Sequence, residues 1–321
     1  MTRRIDPAEG PSVTERETGT AAAGGAGAEL DIRTVRTPTL DTAYAVSGPE
    51  TGRPVVAVHG WPDDIHCWDG VLPALHTAGC RVYRPYLRGF GPTRFRDPAR
   101  PRSGQIAALG SDLGAFLDAL DLGDAVLAGH DWGARAAYVV GALWPERVRA
   151  IAAMSAGYAT HRPDAPLPYE LAQAYWYEWF VATGRGRKAM VQDRRAFCHY
   201  LWTAWSPGWD FSQEEFDETA ASWDNDDWAD VTVHAYLHRW GEAPGDPAYD
   251  TVEERLAAPA PVRVPTIVLH GADDADNLLG TTAGKQQLFA DGYTRQVLDG
   301  IGHFPPREAP GFIAEAILSL C

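Results

Sequence analysis

The chain has 321 residues, 45% of them hydrophobic and 11% aromatic, with 43 acidic against 28 basic residues and a formal net charge of −15. That length accommodates one large α/β domain carrying an insertion, or two modest domains. The charge balance argues against a nucleic-acid partner, which needs clustered Lys and Arg, and no apolar run approaches the roughly 18 residues that cross a bilayer.

Residues 1–28 are rich in Gly, Ala, Thr and Glu and begin with two arginines but no apolar core. They read as a disordered tail, not a signal peptide. Cys67, Cys80, Cys198 and Cys321 are scattered with no CxxC pair, which suits a reducing cytoplasm.

From residue 29 to 158, short apolar strands alternate with helices. "ELDIRTVRT" and "LDTAYAVSG" read as a starting antiparallel pair. "PVVAVHG" (54–60), "CRVYRPYL" (80–87), "DAVLAGH" (124–130) and "RVRAIAAMS" (147–155) follow as buried strands. Between the second and third of these, Ile106, Leu109, Leu113, Phe116, Leu117 and Leu120 recur at helical spacing. Such alternation predicts a doubly wound, mostly parallel sheet.

The pattern stops at about residue 159 and resumes over 261–321, with strands at "VPTIVLHG" and "TRQVLDG" and a last helix over 308–320. The interval 159–260 reads instead as a helical insertion over the sheet. It carries eight of the twelve tryptophans, which suggests an apolar, aromatic-lined cavity for a small apolar or aromatic-rich molecule.

The chemistry concentrates at "GHDWG" (129–133), where a strand turns into a helix. A glycine frame at such a corner thrusts its central side chain, here Asp131, out at the carboxyl end of the sheet. The bland alternative is a tight turn whose aspartate caps the next helix. "HGWPDD" (59–64) follows another strand, and the backbone N–H groups of Trp61 and Trp132 are the pair an oxyanion hole needs. Asp274 follows Gly271 by three residues, with Asp273 and Asp276 as neighbouring rivals, and His303 stands in "GIGHFPP" after the last strand. Nucleophile, acid, then histidine is a known chain order for a hydrolytic triad.

With "HGWP", "LRGFGPT", "GHDWGA", "LHGADD" and "GIGHF" in this order, the chain resembles the α/β-hydrolase superfamily from about residue 30 onward. The resemblance implies an α/β-hydrolase fold: an eight-stranded, mostly parallel sheet with helices on both faces and an inserted helical cap. An aspartate in the nucleophile's place resembles the branch holding epoxide hydrolases, haloalkane dehalogenases and fluoroacetate dehalogenases. A carboxylate suits displacement at a saturated carbon, giving an alkyl ester, and with a reference pKa near ~3.9 it needs no deprotonation at neutral pH. Water activated by His303, held by Asp274, would then attack the ester.

A halide leaving group wants indole or amide N–H donors, whereas an epoxide oxygen wants tyrosine hydroxyls. Many haloalkane dehalogenases carry Asn where this chain has Trp61 and epoxide hydrolases a bulky aromatic, so the resemblance favours the epoxide. "YWYEWFVATGRG" resembles the epoxide hydrolase cap with Tyr177 as first tyrosine, Tyr175 remaining open, and Tyr236 in "VHAYLHRWG" is the second. Trp61, Trp132, Tyr177 and Tyr236 would thus touch substrate. Arg135 fills one of the two arginine places of fluoroacetate dehalogenases and Trp132 the other, so that pattern is half matched. His234 and His238, four apart, lack a zincin glutamate, so no metal and no cofactor are expected. The epoxide hydrolase reading leads; a hydrolytic dehalogenase is the alternative, and a non-catalytic ligand-binding relative is the reading from another class.

Overall fold

The computed structural model describes residues 30–160, 166–258 and 260–321; the tail expected over 1–28 lies outside the described residues. Nine strands are formed: β1 (Ile32–Arg36), β2 (Leu40–Ser47), β3 (Arg53–Val58), β4 (Cys80–Pro85), β5 (Arg94–Phe95), β6 (Ala125–His130), β7 (Val148–Met154), β8 (Thr266–Gly271) and β9 (Tyr293–Leu298). Eight lie in the order β1-β2-β4-β3-β6-β7-β8-β9, and the two-residue β5 pairs with β2 off this path. The pairings β1–β2 and β2–β4 are antiparallel, and every pairing from β4 to β9 is parallel. The expected starting hairpin and eight-stranded α/β-hydrolase sheet are therefore present; β5 is too short to leave a period in the sequence.

Alternation along β3 divides the interior. Val55 and Ala57 face a layer containing Leu75, Ile313 and Ile317. Val56 and Val58 face the opposite layer, with Leu109, Leu113 and Phe116. The first layer is built on α1 (Leu72–Thr77) and the C-terminal helices; the second is built on α2 (Ile106–Ala119) and α3 (Trp132–Leu143). Because β6 is buried at all six residues, it reads as a continuous apolar run, as a strand covered on both faces must.

Between β7 and β8 the chain forms α4 (Tyr169–Ala174), α5 (Trp176–Ala182), α6 (Gly184–Gln192), α7 (Arg194–Trp205), α8 (Gln213–Ala220), α9 (Trp228–Arg239) and α10 (Asp250–Ala257), with no strand among the described residues. Trp202, Trp205, Trp223 and Trp228 are buried here, whereas Trp176 and Trp179 are exposed. The single helix expected over 308–320 is instead α11 (Pro305–Glu308) followed by α12 (Pro310–Leu318). Pro310 has no N–H to continue α11 and opens the new helix at its first position. Among the described residues no helix is long and apolar enough to cross a membrane.

The chain winds from β3 outward to β4 and returns on the other side of β3 as β6. A crevice therefore opens beyond the carboxyl ends of β3 and β6, where open α/β sheets bind ligands. "HGWPDD" leaves β3 at this point and "GHDWG" leaves β6. A buried pair fixes the first loop: Arg307 donates from Nη2 to Asp63 Oδ1 at 2.7 Å and from Nε to Oδ2 at 3.0 Å.

Removing only one partner of such a pair leaves a buried charge uncompensated, at a cost of about 3–5 kcal/mol. Urea unfolding of Arg307→Ala should show a loss of that order, and Asp63→Leu/Arg307→Leu a smaller one. Equal losses would contradict this role for the pair.

Candidate active site

Asp131 sits between β6 and α3 with φ +45° and ψ −110°, a conformation that costs a non-glycine residue energy and persists only where packing fixes it. The glycines make the corner possible. A Cβ on Gly133 would lie 2.1 Å from the Val58 carbonyl oxygen, and one on Gly60 would lie 2.6 Å from Asp131 Cβ. Although Asp131 occupies the cap position of α3, its carboxyl makes no capping hydrogen bond. It reaches across 70 residues of sequence instead, where Oδ2 accepts from the Trp61 N–H at 3.2 Å. Arg135 Nε stands 3.9 Å from Oδ1.

His303 is brought to the same place by the loop after β9. Its Nδ1 lies 3.1 and 3.0 Å from the two carboxylate oxygens of Asp274, and Nε2 is buried with no hydrogen-bond partner among the described residues. The loop itself is clamped: Glu308 accepts from the Gly302 and Phe304 N–H groups and from Ser206 Oγ, while the His303 N–H donates to Ser206 Oγ at 2.7 Å. His130 is structural in its contacts, its Nε2 lying 2.7 Å from the His303 carbonyl oxygen. Burial and the neighbouring His303 charge press its pKa down to about 4.

Three acids surround one imidazole. Burial penalises the charged form of Asp274, but the His303 charge and hydrogen bonds from His270 and His303 outweigh that and hold the carboxyl well below the usual range. Burial likewise disfavours the His303 cation, yet Asp274, Asp276 and Asp131 together raise it to about 10. Asp276 goes the other way. Burial raises it, the nearby His303 charge lowers it, and repulsion by Asp274 and Asp131 adds to the rise, leaving it at about 8. Of the two rivals to Asp274, Asp276 is thus buried beside His303, whereas Asp273 is exposed.

Above the elbow, Trp61 is the centre of an aromatic cluster. Its ring stacks on Tyr177 at 5.7 Å between centroids and 9° between planes, and meets Tyr236 edge-on at 5.3 Å. Tyr177 and Tyr236 are perpendicular neighbours at 5.4 Å. Tyr175 turns elsewhere and donates to Asn277 Oδ1 at 2.8 Å. The Tyr177 hydroxyl donates to Glu178 Oε1 at 3.2 Å, and Glu178 also accepts from Arg239 and the Trp240 indole. The sequence reading missed Glu178; an acid inside the aromatic run 175–180 is the one sequence signal for it, and its burial is visible only in the structure. Trp61 Nε1 donates to Thr232 Oγ1 at 3.0 Å.

A cavity of about 550 Å³ is lined by Leu109, Trp132, Arg135, Tyr158, Tyr236 and Leu256 among others. Its lining includes Trp132, Tyr236 and Arg135, whose Nε stands 3.9 Å from the Asp131 carboxyl. Among the described residues, two groups have the spacing of metal ligands: His66, Asp69 and Glu218, and Asp131, Asp276 and His303. In the first, His66 is already bonded to Asp64 and Asp69 to Arg84. His234 has both ring nitrogens engaged, Nδ1 accepting from the Gly104 N–H and Nε2 facing the Pro244 carbonyl.

Residues 53–310 match the alpha/beta hydrolase fold family. A Klebsiella pneumoniae protein whose naming as an epoxide hydrolase is provisional superposes with a TM-score of 0.86 at 38% identity, covering 90% of this chain and 97% of that one. Epoxide hydrolase A of Mycobacterium tuberculosis is 26% identical over 303 residues, 85% of this chain and 92% of its own. Bifunctional epoxide hydrolase 2 of Sus scrofa is 32% identical over 124 residues, which are 39% of this chain and 22% of that protein. Several curated relatives are thus matched over less than half of their length.

The shifted groups fix a pH dependence of stability. A lowered Asp274 contributes above its unfolded value near ~3.9, and that contribution is lost as pH falls through the folded one. A raised His303 contributes fully below ~6.5 and is lost as pH rises toward about 10. Asp276 acts in the same direction as His303 up to about 8. The thermal midpoint should therefore fall between about pH 6.5 and about pH 10. Because the His303 charge also lowers Asp276, the test uses an Asp276→Asn background. Adding His303→Gln there should flatten the fall above about pH 6.5, and an unchanged slope would contradict the assignment.

Proposed function

The chain belongs to the alpha/beta hydrolase fold family, and from that premise we propose that it hydrolyses epoxides to vicinal diols through a covalent ester on Asp131. The observation that carries this reading is the uncapped Asp131 carboxyl, gripped by the Trp61 N–H, beside a His303 ring held by Asp274. The relatives named as epoxide hydrolases support the same substrate class. In this reading the helices between β7 and β8 form the cap.

Asp131 attacks an epoxide carbon, the C–O bond breaks, and the departing oxygen takes a proton from a tyrosine. Burial keeps the hydroxyls of Tyr177 and Tyr236 protonated far above neutral pH, so both hold the proton that the alkoxide needs. Tyr236 is the readier donor: its hydroxyl forms no hydrogen bond with the described residues, whereas Tyr177 must turn from Glu178.

Esterification removes the Asp131 charge, one of the three that hold His303 protonated. The His303 proton passes through solvent to the tyrosinate, leaving Nε2 free to take a proton from water. Water oxygen attacks the Asp131 carbonyl carbon, and the Trp61 and Trp132 N–H groups hold the resulting oxyanion. Collapse breaks the ester bond, the leaving alkoxide is protonated by His303, and the acid proton of Asp131 returns the imidazole to its charged state. A halide would have one indole donor fewer, because the Trp61 indole N–H is already committed to Thr232; Trp132 does not discriminate between the two leaving groups.

A panel of styrene-oxide-like epoxides, bromoalkanes and fluoroacetate tests the leaving group. Diol formation without halide release is expected; halide release without diol formation would contradict the proposal. Loss of a general acid costs ~10²–10⁴-fold, so Tyr236→Phe should lower kcat/KM for the epoxide by at least ~100-fold. A variant of undiminished activity would remove Tyr236 from the mechanism.

A further inference from the structure

Asp276 is a buried acid that the triad does not use. It is 2% exposed, and its Oδ1 has no hydrogen-bond partner among the described residues. A carboxylate oxygen of Asp276, one of Asp131 and a ring nitrogen of His303 all lie within 4.8 Å of one another. Oδ2 is fixed from the other side: it accepts from Asn277 Nδ2 at 2.9 Å and stands 3.8 Å from His303 Nδ1. Asn277 in turn accepts from the Tyr175 hydroxyl and from Arg135, at 2.8 and 3.4 Å. Asn277, itself held by Tyr175 and Arg135, therefore orients a carboxyl whose second oxygen is left without a partner among the described residues.

A buried polar atom without a partner carries a desolvation penalty, which an acceptor recovers when a donor arrives. His303 Nε2 is in the same condition, buried and unpartnered. A hydrolytic water has two protons to give and needs a lone pair left for attack. Once Asp131 is an ester, loss of its charge favours the ionised carboxylate of Asp276 and a neutral His303, so that each offers an acceptor. We propose that Asp276 is a catalytic residue of the ester-hydrolysis step, accepting one proton of the attacking water in a hydrogen bond while His303 Nε2 removes the other.

The step balances as follows in atoms. Water oxygen forms a bond to Asp131 Cγ, one water proton moves to His303 Nε2, and the other stays on the new hydroxyl, hydrogen-bonded to Asp276 Oδ1. Collapse then breaks the bond from Cγ to the alkyl oxygen, which leaves with the proton from His303. Asp276 has no part in the first step, where Asp131 attacks carbon directly. This inference rests on the covalent mechanism proposed above but not on the leaving group, since epoxides and alkyl halides both leave an ester on Asp131.

The test separates the two half-reactions. Enzyme in excess is mixed with a styrene-oxide-like epoxide, quenched at intervals, and the alkyl-enzyme measured by intact mass, with a bromoalkane run in parallel. Asp276→Asn is the first variant. Asn277 donates an N–H where Oδ2 now accepts, so the new amide must turn its oxygen there and present N–H, a donor, to the water. Asp276→Ser, which is smaller, serves if the amide does not fold, and Asp273→Asn, on the exposed side of the same loop, is the control.

Alkylation within about threefold of wild type, with hydrolysis slowed at least tenfold and alkyl-enzyme accumulating, is expected. Unchanged hydrolysis, or equal losses in both steps, would overturn the role of Asp276. If wild type forms no alkyl-enzyme from either substrate, the covalent mechanism falls and this role with it. A wild-type ester beside an Asp276 variant that hydrolyses normally removes this inference alone.

Discussion

A carboxylate held at a strained backbone corner is the constraint on which the rest of the site depends. Asp131 keeps φ at +45° because β6, α3 and the loop after β3 leave it nowhere else to go. The approach of Gly133 to the Val58 carbonyl and of Gly60 to Asp131 itself admits no side chain. The outcome is an aspartate that begins a helix without capping it. A capping aspartate would satisfy helix N–H groups and be chemically quiet; this one is turned toward the Trp61 N–H and the histidine.

The second organising fact is charge balance in a dry place. Asp131, Asp274, Asp276 and His303 are all nearly or wholly buried, and the imidazolium with Arg135, 3.9 Å from Asp131, makes two cations against three carboxylates. Nature of the environment decides the distribution: Asp274, bonded to two histidines, stays ionised, while Asp276, with an orphaned oxygen, holds its proton toward neutral pH. In the proposed cycle the same arithmetic gives direction: an ester on Asp131 would remove one negative charge and make His303 more readily deprotonated when a base is required.

Much of this was legible in the sequence. The hairpin, the parallel strands and α2 follow from apolar periodicity, and the α/β-hydrolase fold follows from landmark loops in order. Asp131, Asp274 and His303 could be named because each ends or follows a recognisable strand, and strand ends converge in an open α/β sheet. What could not be read is contact between distant segments. The Asp63–Arg307 pair spans 244 residues and the Glu178–Arg239 pair 61, and neither has a local pattern. Asp276 appeared only as a rival to Asp274, because adjacent acids on one loop look alike until burial separates them. Tyr175 and Tyr177 were likewise indistinguishable by spacing, and only packing sends one to Asn277 and the other to Trp61.

The central claim is that Asp131 itself is alkylated and then hydrolysed at its own carbonyl carbon. One turnover of an epoxide by excess enzyme in H₂¹⁸O, followed by mass analysis of the peptide containing Asp131, tests it directly. The account predicts one ¹⁸O in the Asp131 carboxyl and none in the diol formed on that turnover. Label in the diol with an unlabelled Asp131 would mean that water attacks the epoxide directly, and would contradict it.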